Sequence, residues 1–155
     1  MKPSIIIQLD DPAKHFSPGD EITGTFRFIH VQPEELRRME FSVLWFTEGK
    51  GDEDMGVHHF ESISWGAEQE SLSHDAGKEI VLAGSAGLTE YIAKGSSRMY
   101  SYSVRLPASP LSYYGLILKI RWCIRVRIFL TSGREVMEQK LFLLGNLPPV
   151  EVLLG

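Results

Sequence analysis

Apolar and polar residues alternate along most of this chain, and alternation with a period of two is the mark of strands with one buried side. From Ile22 the residues Ile22, Gly24, Phe26 and Phe28 fall on one face, with Thr23, Thr25 and Arg27 on the other. In RMYSYSVRLP, Tyr100, Tyr102, Val104 and Leu106 oppose Met99, Ser101, Ser103 and Arg105, and the pattern stops at Pro107, which lacks the N–H a central ladder needs. The clearest strand is KIRWCIRVRIFL. Ile120, Trp122, Ile124, Val126 and Ile128 share one face, while Arg121, Cys123, Arg125 and Arg127 share the other. A helix would scatter those arginines; a strand gathers them into a stripe.

Shorter signals fill the gaps. SIIIQLDDP and KEIVLAG each give a short apolar run ended by turn residues, and FSPGDEITG is a turn between strands. MEFSVLWF places Phe41, Val43 and Trp45 opposite Ser42, Leu44 and Phe46, so both faces are partly apolar, and VHHFESISW reads as its return strand. QPEELRR allows one helical turn, residues 66–79 read as loop, and TSGRE is a hairpin turn leading into VMEQKLFLLG. Many short strands, frequent turn signals and no convincing amphipathic helix predict an all-β, antiparallel sandwich over residues 1–146, with 147–155 as an exit segment or linker.

Composition narrows the function classes. A chain of 155 residues with 43% apolar and 23% charged residues can bury a core without staples. A net charge of -4 argues against nucleic acid, and the lone Cys123 against a disulfide scaffold. With no secretory leader and no long apolar run, a cytoplasmic location without membrane insertion is expected, and no cofactor.

Two blocks resemble the arrestin-like family. FSPGDEITGTFRF is similar to the opening of such a domain. SYSVRLPASPLSYYGLILKIRWCIRVRI follows the family's order: a strand ending in Leu106-Pro107, a turn with Pro110, Ser112, Tyr113 and Gly115, then Ile120, Arg121 and Trp122. The resemblance runs from about residue 5 to 145. It implies an immunoglobulin-like sandwich like the N-terminal half of arrestins, retromer subunits and bacterial sporulation-control proteins, which are adaptors or scaffolds without recognised chemistry. Arrestins carry two sandwiches and an activating C-terminal tail, so phosphate-sensor roles do not carry over. The segment TEGKGDEDMGVHH has no match in eukaryotic arrestins and points to a microbial branch.

That segment is the densest in chemically capable side chains. His58 and His59 are adjacent, so regular alternation sends them to opposite faces, where they cannot chelate one ion together. Asp52 and Asp54 have the spacing of calcium ligands, without the rest of an EF-hand loop. Asp52, Asp54 and His58 are thus weak metal candidates, and a ligand-binding protein or enzyme built on residues 48–59 is the rival reading. The favoured reading is a soluble acidic hairpin tip. No nucleophile pairs with the histidines, so no catalysis is expected.

Lys119, Arg121, Arg125 and Arg127 are candidates for holding an acidic protein partner. The competing view is a solvated stripe paired with acids such as Glu135 or Glu138, or, for Arg121, a paired position between the sheets. Tyr113 and Tyr114 are expected to cap the sandwich core. The expected function is a protein-interaction or scaffold domain, with self-association through edge strands as a further alternative.

Overall fold

The computed structural model describes residues 2–12, 15–51, 53–65, 80–82, 87–92 and 98–145. Its strands are β1 (Ser4–Leu9), β2 (His15–Phe16), β3 (Glu21–Ile29), β4 (Leu36–Gly49), β5 (Met55–Ser64), β6 (Ile80–Leu82), β7 (Leu88–Ile92), β8 (Arg98–Arg105), β9 (Tyr113–Tyr114), β10 (Leu118–Leu130) and β11 (Glu135–Leu144). Among the described residues β1-β3-β8-β7 form a four-stranded sheet. The larger sheet has seven strands in the order β2-β11-β10-β4-β5-β6, with β9 paired to β10. All pairings are antiparallel except the short one between β2 and β11.

The predicted faces appear as drawn. In β3 the buried residues are Ile22, Gly24, Phe26 and Phe28, and in β8 Tyr100, Tyr102 and Val104. These meet the inward residues of β4 and β10 in one core, where Trp122, Ile124, Val126 and Ile128 are all 0% exposed. Aromatic rings pack both within the small sheet and across to β4 of the large one. Phe26 stacks on Tyr100 at 5.1 Å and on Phe41 at 5.7 Å, and Phe41 meets Tyr102 at 5.3 Å. Such ring pairs add about 0.5–1.5 kcal/mol each beyond area burial.

The turns follow local chemistry. Ser17 N–H donates to Asp20 Oδ2 at 2.9 Å and Gly19 takes φ 87°, which closes the SPGD turn. QPE forms the expected single turn, a 3-10 turn at Pro33–Glu35, before Leu36 opens β4. Gly133 takes φ 91° between β10 and β11. The loop reading for 66–79 and the exit segment lie outside the described residues.

Candidate functional site

The arginine stripe lies on the outer face of the large sheet, because Trp122, Ile124 and Val126 take the inner one. Each arginine has a distinct environment. Arg121 Nε donates to Glu48 Oε1, and its guanidinium lies 5.1 Å from the Tyr114 ring. Arg121 is therefore paired outside rather than between the sheets. Arg127 Nε lies 3.1 Å from Glu135 Oε2, with Glu40 at 4.0 Å, so the carboxylate across the TSGRE hairpin does meet the stripe. Lys119 lies 5.9 Å from the Tyr114 ring.

Arg125 differs. Its Nε and Nη2 both donate to Gln139 Oε1, at 3.2 and 3.0 Å, and Gln139 is neutral. Arg125 also lines two adjoining shallow clefts. One, of ≈ 470 Å³, is bounded by Phe46, Thr47, Glu48, Glu53, Asp54 and Met55. The other, of ≈ 150 Å³, is bounded by Glu40, Ser42, Leu44, Met55, Val57, Phe60 and Arg127.

The floor between them is not a simple solvated face. Leu44 and Cys123 are 2% and 0% exposed although both point away from the inter-sheet core. Burial pushes the Cys123 thiol up to about 11, with the Arg125 guanidinium pulling the other way. Met55, Val57, Met137 and Leu141 stay exposed around this floor. Sequence reading did not single them out, although Met137, Gln139 and Leu141 alternate in register with Arg127, Arg125 and Cys123.

The acidic hairpin joins β4 to β5. Asp54 N–H donates to Thr47 Oγ1 at 2.8 Å, and Asp54 Oδ1 accepts from Met55 N–H at 2.8 Å. Asp52 lies outside the described residues. The histidines depart from regular alternation, because the β4–β5 register shifts between Val43 and Leu44, with Val43 opposite His59 and Leu44 opposite Val57. The extra residue is His58, a β-bulge, and both histidines consequently face the second sheet. His58 Nε2 lies 2.7 Å from Arg105 O on β8, and its ring meets Trp122 edge-on. His59 Nε2 lies 2.8 Å from Glu61 Oε2, with Glu61 fully buried.

So Asp54 stays in its turn while His58 ties the two sheets at their rim. Among the described residues no three His, Cys, Asp or Glu side chains converge as a metal site. No helix among them is long and apolar enough to cross a membrane. Tyr102 has its phenol raised by burial and secondarily by the Asp10 carboxylate.

The SYYG segment is another departure. Tyr113 is 53% exposed and does not cap the core; with Tyr114 it forms the short strand β9, paired to β10 through Tyr113–Ile120 and Tyr114–Lys119. Trp122, two residues after Ile120, is fully buried in the core instead, and its Nε1 donates to Pro110 O at 2.7 Å.

These features define an antiparallel β-sandwich of arrestin-like fold. The chain matches the solved structure of Spo0M, a sporulation control protein from Bacillus subtilis, with TM-score 0.58 and 11% sequence identity. The match covers 98% of this chain and 53% of that one, so the chain spans about half the length of the protein it matches. Murine CRIg aligns over 90% of this chain and 95% of its own at 6% identity, but its TM-score of 0.38 is too low to bear on the fold. No protein-family model matches the sequence, and no curated protein does.

Proposed function

We propose that this chain is a non-catalytic interaction module of the arrestin type that holds a protein partner on the outer face of its large sheet. The observation that carries this reading is Arg125. Among the described residues its side chain bonds to a neutral amide, while Arg121 and Arg127 meet carboxylates. A carboxylate from a partner would replace Gln139 and form the two-pronged pair that guanidinium favours. Exposed Met55, Val57, Met137 and Leu141 around it offer apolar contact. The partner segment is therefore acidic with aliphatic neighbours.

Pull-downs from the native cell with wild type and with Arg125→Glu, alone and combined with Arg127→Glu, test this. Loss of the wild-type partner by about tenfold or more is expected for both variants, consistent with losing a desolvated charge pair. The single variant is the sharper one, because Arg127 is tied to Glu135. Equal capture by wild type and variants, all equally folded, overturns the outer-face site.

A further inference from the structure

The turn between β9 and β10 breaks the ordinary rule for hairpin tips. Gly115 N–H donates to Leu118 O at 2.9 Å, which puts Leu116 and Ile117 at the two central positions. Such positions usually hold Asn, Asp or Gly. Here Leu116 is 94% exposed and Ile117 71%. Neither side chain supports the core, and both project from the end of the sandwich.

The layer behind the tip is aromatic and basic. Tyr113 is exposed, and Lys119 and Arg121 lie at 5.9 and 5.1 Å from the Tyr114 ring. The tip is also braced, because Lys50 N–H donates to Ile117 O at 3.3 Å from the neighbouring β4–β5 hairpin.

We infer that this turn is a membrane contact, with Leu116 and Ile117 entering the boundary between headgroups and acyl chains of a zwitterionic bilayer. Tyr113, Tyr114 and Lys119 then lie at headgroup level, where amphipathic rings and long cationic side chains are favoured. Two features select a lipid surface over a protein. The tip is convex, and a fluid bilayer needs no complementary pocket. Two aliphatic side chains bury only about 200 Å², far below the roughly 800 Å² per partner of a stable protein interface. Around the turn Lys50, Lys119 and Arg121 are offset by Glu48, Glu53 and Asp54, so no excess of positive charge calls for an anionic surface and phosphatidylcholine is the lipid that fits. The expectation of no membrane insertion rested on the lack of a long apolar run, and a two-residue turn does not enter that count.

Co-sedimentation with phosphatidylcholine vesicles at millimolar lipid tests the inference. Wild type binds reversibly, and Leu116→Ser with Ile117→Ser lowers the bound fraction on the order of tenfold, as expected for losing two inserted aliphatic groups. Replacing part of the lipid by phosphatidylserine gives no gain. Both substitutions are at exposed sites, and thermal melts confirm that the variant is folded. Arg125→Glu leaves vesicle binding intact, which separates this contact from the outer-face site.

Wild type failing to bind, or the variant binding equally, overturns the inference. So does a concentration-dependent dimer that the same substitutions dissolve without any vesicle binding, which would assign the turn to a second copy of the chain.

Discussion

At Gly24 the small sheet has no space for a side chain. A Cβ there would strike the Gln8 carbonyl oxygen and the Tyr102 hydroxyl. The reason is a hydrogen bond that crosses over β3: Tyr102 Oη donates to Gln8 O at 2.8 Å, joining β8 to β1. Gly24→Ala therefore both overpacks a backbone contact and displaces that bond. A loss of about 2–3 kcal/mol in denaturant unfolding is expected; a loss below about 0.5 kcal/mol would mean the two strands move apart freely.

Cys123 gives a second prediction at this scale. Its thiol ionises near 9 when unfolded and about 11 when folded. A raised folded value means the native state keeps its proton where the unfolded state loses it, so stability is complete below about pH 9 and falls as pH rises towards 11. Urea midpoints for Cys123→Ala should decline less steeply than wild type between pH 9 and 10. The Tyr102 phenol adds a similar decline only above its ordinary value near 10. Equal slopes for the two proteins would remove the thiol from the account.

At the scale of the element, the β5 bulge is the feature with the widest consequences. It turns His58 and His59 to the same side, and His59 then shares the interior with Glu61 two residues on. Glu61 Oε1 has no hydrogen-bond partner among the described residues, so the neighbouring imidazole is its main compensation. His59→Leu leaves a buried carboxylate alone and should cost about 3–5 kcal/mol. His59→Leu with Glu61→Met removes the whole pair and should recover most of that loss. Chemical denaturation of both variants checks this, and a double variant as weak as the single one would show that the pair is not the source.

Strand β10 shows why other elements were legible. Its inner residues are fully buried along an uninterrupted run from Trp122 to Ile128, so the alternation in sequence is strict. The bulge in β5 was not legible, because it is a register relation to Val43 on another strand. Strand β9 is two residues long and exists only through its pairing with β10. That pairing carries Tyr113 out to solvent, against the expectation that it caps the core.

For the whole molecule, the two proposed surfaces are neighbours, because the larger cleft beside Arg125 is bounded by Glu53 and Asp54 of the hairpin whose Lys50 braces the Leu116–Ile117 turn. The outer face of the large sheet presents Arg125 among apolar residues, and the sandwich end presents Leu116 and Ile117. A chain bound to a bilayer through the turn would still leave the smaller cleft, where Arg125 and Arg127 meet, open to a partner.

The sequence by itself determined the all-β class, the inner and outer faces of the main strands, and the arginine stripe. Those follow from side-chain alternation, a local property that burial of one face enforces on each strand separately. Only the tertiary structure decided which charges meet and which apolar groups stay exposed. Arg121 finds Glu48 at a separation of 73 residues, and Tyr102 finds Gln8 at 94. Such partners are set by strand order and register, which the stretch TEGKGDEDMGVHH does not carry in its own composition. Its histidines came to face the second sheet, His58 at the rim and His59 buried, because one extra residue in β5 had to be accommodated against β4.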